Sequence, residues 1–81
     1  MFHKVKNVTP LDDMQLMVEF VEGGRKKYDV KPLLIRFEVF RDLVEKNLFN
    51  FVHVDCGGYG IAWNEEIDLG CDELWHNGSA V

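Results

Sequence analysis

Between Gln15 and Val21 the chain places Leu16, Val18 and Phe20 at every second position, with Gln15, Met17 and Glu19 between them. Only an extended backbone sends alternate side chains to opposite faces, so this segment predicts a half-buried β-strand. Glu22-Gly23-Gly24 follows, and then Arg25–Val30, which together predict a hairpin. A two-residue Gly-Gly loop would set Phe20 against Lys27 and Val18 against Asp29. A three-residue loop sets Phe20 against Lys26, Val18 against Tyr28 and Leu16 against Val30, with Gly24 in the left-handed conformation. The second register keeps apolar side chains together and is the one expected.

The rest of the chain arranges itself around that hairpin. Val5–Leu11 carries apolar residues at 5, 8 and 11, and Pro10 assigns it to a sheet edge. Lys31-Pro32 ends the Arg25–Val30 strand, and Pro32-Leu33-Leu34-Ile35 reads as a turn. From Arg36 to Lys46 the spacing of Phe37, Phe40, Leu43 and Val44 is helical, with an Asp42–Lys46 pair and Asn47 as a stop. Leu48–Asp55 is apolar on both faces and reads as an inner strand. Cys56-Gly57-Gly58 is a turn, Tyr59–Trp63 a strand, and Cys71–Trp75 a helical turn. The expected fold is α+β: an antiparallel sheet of about five strands with one main helix packed on one face and a short C-terminal helical turn.

The chain is 81 residues long and 47% apolar, which suits one small domain over residues 1–81 and argues against disorder. No apolar run exceeds three residues, so neither a membrane span nor a signal peptide is expected and the reading is cytoplasmic. The net charge of −5 is unevenly placed. All nine Lys and Arg lie before Asn47, while Asp55, Glu65, Glu66, Asp68, Asp72 and Glu73 lie after it. Such asymmetry favours a basic protein surface as partner over a phosphate backbone.

A particular order of weak motifs accompanies this layout. It runs Leu16-x-Val18-x-Phe20, Gly23, Tyr28-Asp29, Phe40-x-x-Leu43, Phe49-x-x-Val52-x-Val54-Asp55, Ile61-x-Trp63, Asp68-Leu69 and Asp72-x-Leu74-Trp75. Together they resemble the bacterial domain of unknown function family 2442 from Val5 to about Gly78. The resemblance implies a small α+β protein without an established activity. It also implies kinship with proteins that are in some cases fused to helix-turn-helix domains, and in many cases encoded beside another small protein in pairs proposed to be toxin–antitoxin systems. Gly70 departs from the family pattern, which often has serine there.

Chemistry-bearing sets are few. His53-x-x-Cys56 and Cys71-x-x-x-x-His76 have spacings near those of a zinc site, but His53 and Cys56 would point to opposite faces of a regular strand. The same geometry weakens a Cys56–His53 nucleophile pair, and the chain's one serine, Ser79, and one threonine, Thr9, stand far from an obvious base. The carboxylates of Glu65, Glu66, Asp68, Asp72 and Glu73 read as one exposed acidic stretch rather than an acid–base pair, with Asp68 expected to cap the last helical turn. Gly57-Gly58-Tyr59-Gly60 leads into a strand, not a helix, and so reads as a turn rather than a phosphate cradle. Arg25-Lys26-Lys27 is the one basic run; with a sequence pI near 5.0 it reads as protection of a strand edge rather than a nucleic-acid site.

The expected function is therefore a non-enzymatic protein-interaction module with no cofactor and no metal, the antitoxin-like partner of a small basic protein. Its candidate surface is Glu65, Glu66, Asp68, Asp72 and Glu73, with Trp63 packed in the sheet and Trp75 a candidate anchor. Homodimerisation through a free strand edge is a further expectation. The alternatives are an accessory regulator touching nucleic acid through Arg25-Lys26-Lys27 and a zinc protein using His53, Cys56, Cys71 and His76.

Overall fold

The computed structural model describes residues 2–81, the side chain of Cys56 excepted. Strand β1 (Val5–Leu11) pairs antiparallel with β2 (Gln15–Phe20), and β2 with β3 (Arg25–Asp29). The last strand, β7 (Ser79–Ala80), returns to β3, so this sheet has the order β1-β2-β3-β7. A second sheet joins β4 (His53–Asp55), β5 (Gly60–Ala62) and β6 (Asp68–Gly70) in that order. The α+β class holds. The single sheet of about five strands does not, because among the described residues the strands divide into sheets of four and three.

Leu16, Val18 and Phe20 of β2 have no exposed surface and form the middle of the core. In β1 the register slips between Val5 and Asn7. Lys6 is the extra residue of this bulge, which lets Val5 and Val8, an odd number apart, both meet the core. β1 is an edge strand, as Pro10 requires.

The β2–β3 turn has the expected length but a different position. Phe20 N–H donates to Gly24 O at 2.8 Å, so the loop is Val21-Glu22-Gly23 and Gly23, not Gly24, takes the positive φ of 106°. Val18 therefore faces Lys26, and Leu16 faces Tyr28. A shift of two residues leaves every side chain on its expected face. It also puts glycine opposite Phe20: a Cβ at Gly24 would stand 3.5 Å from the Trp75 ring, which packs edge-on against Phe20.

The helical region is broken up. Pro32 does not merely end a strand; it occupies the first turn of α1 (Lys31–Arg36), where its fixed φ is favourable and its missing N–H costs nothing. Asp29 Oδ1 accepts from the Lys31 amide at 3.0 Å. Phe37 is extended, and the chain resumes as a 3₁₀ turn (Glu38–Arg41) leading into α2 (Asp42–Glu45). Phe40 and Leu43 are buried as the spacing implies, but Phe37 and Val44 are exposed. The Asp42–Lys46 ion pair forms at 3.4 Å, and Asn47 ends the segment at φ 54°.

The expected inner strand from Leu48 to Asp55 is also shorter. Leu48 N–H bonds back to Leu43 O, and Phe49–Phe51 curls into a 3₁₀ turn whose Phe49 carbonyl accepts from Trp63 Nε1 at 2.9 Å. Only His53–Asp55 is strand, and it is an edge; β5 is the inner one. The final helix, α3 (Cys71–Asn77), starts at the expected residue and runs two residues beyond Trp75. Among the described residues no helix is long and apolar enough to cross a membrane.

Candidate functional site

The acidic residues are dispersed over three elements. Glu65 and Glu66 sit exposed in the loop after Trp63, where Asn64 Oδ1 accepts from the amides of Glu66 and Ile67, both at 2.9 Å. Asp68 is exposed on β6, so it does not cap α3; the N-cap residue is Gly70, which contributes no side-chain bond. Asp72 and Glu73 occupy the first turn of α3, where the helix dipole favours negative charge. Glu73 is half-buried and accepts a hydrogen bond from the Tyr28 hydroxyl at 2.7 Å. Burial, then this bond to a carboxylate, pushes the Tyr28 phenol far above its ordinary value.

Asp68 and Glu73 share the rim of an apolar groove of about 310 Å³ lined by Leu33, Arg36, Phe37, Phe40 and Leu69. Helix α1 and the following 3₁₀ turn form one wall, β6 and α3 the other. Phe37 is 46% exposed there. The Arg36 guanidinium lies 5.3 Å from the Phe37 ring. Leu33, Phe37 and Leu69 belong to this site although the sequence did not mark them. A helix interrupted at Phe37, turning an expected core residue outward, could not be read from spacing.

The four ion pairs found among the described residues all use residues 3–46: His3–Glu22, Lys31–Asp13, Lys31–Asp29 and Lys46–Asp42. None engages Glu65, Glu66, Asp68, Asp72 or Glu73, which have no ion-pair partner among the described residues. Trp63 is buried, as expected. Trp75 lies away from the groove, stacked on His3 with ring centres 3.7 Å apart and with Lys26 Nζ 4.4 Å from its ring centre.

The basic run is split between the two faces of its strand. On β3, Arg25 and Lys27 are exposed while Lys26 turns to the Trp75 side and donates to the Trp75 carbonyl. Cys71 is buried in the core and His76 is exposed on α3, whereas His53 Nδ1 is bonded to Phe51 O. The Cys56 side chain lies outside the described residues, and with it the Cys56–His53 pair. Among the described residues no three His, Cys, Asp or Glu converge as metal ligands. Ser79 pairs in β7 with Lys27.

The fold and the groove define a small α+β protein of two antiparallel sheets with an acid-rimmed apolar surface. The chain belongs to the family described as protein of unknown function (DUF2442), whose model matches residues 5–80. Neither the curated proteins nor the solved structures contain a significant match.

Proposed function

We propose that this chain is a non-enzymatic protein-interaction module that docks a basic segment of a small partner protein in the Phe37 groove. The observation that supports the reading is the exposed Phe37 ring beside Asp68 and Glu73, two carboxylates with no ion-pair partner among the described residues. Apolar contact supplies an anchor, and the unpaired negative charge steers a cation to it. Arg36 is the one basic side chain of the lining and is outnumbered by the rim acids. Glu65, Glu66 and Asp72 lie outside the groove and act at longer range, by raising the encounter rate. An antitoxin-like role is this same reading with a toxic protein as the basic partner.

The test is titration with a peptide of alternating lysine and leucine, followed by amide NMR. Shifts should gather at Leu33, Phe37, Phe40 and Leu69 and weaken as salt is added. Asp68→Lys and Phe37→Asp, both at exposed positions, should each reduce affinity about tenfold or more. Equal binding of an acidic peptide, or shifts spread away from the groove, would sink the proposal.

A further inference from the structure

On the other side of α1, Ile35 is 82% exposed, the largest value among the exposed large hydrophobic residues, and Val44 is 53% exposed. With Leu34 they line a second groove, of about 350 Å³, which is walled by Arg41 and Glu45. It shares no lining residue with the Phe37 groove. Arg41 and Glu45 are four apart on consecutive helical turns, the spacing at which opposite charges pair on a helix. Their neighbours Asp42 and Lys46 do pair at that spacing. Arg41 and Glu45 do not, and neither has an ion-pair partner among the described residues. Arg41 Nε instead donates to Leu34 O at 3.3 Å, which holds the guanidinium over α1.

The patch thus sets three apolar side chains beside one cation and one anion that stand a helical turn apart and have no ion-pair partner among the described residues. A surface of that kind complements itself. A two-fold axis perpendicular to α2 lays a second patch on the first in the opposite direction, so each Arg41 meets the Glu45 of the other copy while Ile35 and Val44 share the seam. We propose that this face is a homodimer contact, formed by a second copy of the chain. A partner of one charge sign would satisfy only one of the two side chains and leave the other buried against its like or against nothing. The face shares no lining residue with the Phe37 groove. Five side chains are few beside the roughly 20–30 residues a side of a standard interface, so the dimer is weak and concentration-dependent.

Sedimentation equilibrium of the whole chain from ~10 µM to ~1 mM covers the range in which a contact of this size dissociates. The mass should climb from the 9.4 kDa monomer towards twice that value. Ile35→Glu should hold the chain monomeric throughout. Arg41→Glu should weaken association about tenfold, because two attractions become two repulsions. The double reversal R41E/E45R should restore it. All three variants lie at exposed or rim positions, and far-ultraviolet circular dichroism checks that each is folded. A monomer at every concentration overturns the proposal. So does a dimer that tolerates Ile35→Glu, or a double reversal no better than Arg41→Glu alone. None of these results bears on the basic-peptide test, which reads a different face.

Discussion

Tyr28 and Glu73 are 45 residues apart in sequence and share one hydrogen bond, phenol to carboxylate, at 2.7 Å. The bond ties β3 to the first turn of α3 and so fixes the wall of the Phe37 groove that carries Glu73. Tyr28 is buried, and a half-buried carboxylate that loses its donor is left partly desolvated. Tyr28→Phe should therefore cost about 1–2 kcal/mol in urea unfolding, towards the range for bonds to charged groups. Glu73→Ala should cost a similar amount, and the double variant much less than the sum. Additive losses would mean that the bond is not formed in solution.

The same pair sets an alkaline limit. Burial first and the Glu73 carboxylate second raise the Tyr28 phenol in the folded state. A raised value means that the unfolded chain releases this proton more readily. The contribution is fully present below the unfolded value of about 10 and is lost as pH rises above it. Stability should fall as pH climbs past about 10, and the fall should be shallower in Tyr28→Phe. Identical slopes for the two proteins would refute the assignment.

What the sequence made legible follows from how local the deciding physics was. The alternation in β2 and the turn length after it depend on neighbours in the chain, and both came out as expected. The turn's position did not: Gly24 stands opposite Phe20, beside Trp75, an aromatic ring half a hundred residues away that periodicity along the chain does not bring there. Phe37 was misplaced for a related reason. Its spacing to Phe40 is helical, but Pro32 starts a helix early and that helix closes when the Phe37 amide bonds to Leu33 O. The short strands β6 and β7 have no periodicity to detect and exist only through their partners. Asp68 and Glu73 were marked as acidic residues, yet their meeting beside Leu69 and Phe37 is a tertiary fact.

Gly60 and Gly70 should respond in opposite directions to a side chain. A Cβ at Gly60 would stand 2.6 Å from Leu69 O, the backbone of the paired strand β6, which cannot retreat without breaking the ladder. Gly60→Ala should cost at least about 2 kcal/mol, the scale of overpacking in a tight site. At Gly70 a Cβ meets nothing within 4 Å, and φ −75°, ψ 155° suits an N-cap residue of any kind. Gly70→Ser adds an acceptor for the free amides of α3 and should gain a few tenths of a kcal/mol. Thermal unfolding of the two variants reads both signs, and a destabilised Gly70→Ser would show that α3 does not begin there.

Cys71 is 2% exposed, and burial followed by the neighbouring Asp72 carboxylate raises its thiol. The reactive species is the thiolate, so the native chain withholds both access and charge from an alkylating reagent. Peptide-level mass spectrometry after iodoacetamide treatment should find Cys71 labelled at a rate that follows urea and global unfolding. The sign for stability matches that of Tyr28 at lower pH: the contribution is intact below about 8.5 and declines above it. Rapid labelling of Cys71 in native buffer would contradict its place in the core.

Trp75 is held on several sides: edge-on by Phe20 at 4.9 Å, stacked by His3, and approached by the Lys26 ammonium. Those contacts give the ring a packing role between β3 and α3, and the docking proposal rests on Phe37 instead. Trp75→Ala should destabilise the chain by about 2–4 kcal/mol, somewhat under the cost for a fully buried tryptophan. Trp75→Phe keeps the contact with Phe20 and should recover about half of that loss. Where Trp75→Phe is still folded, its affinity for the lysine–leucine peptide should stay within about twofold of the parent, since the ring does not line the groove. A tenfold loss of peptide affinity with stability unchanged would reverse the assignment and make Trp75 the anchor.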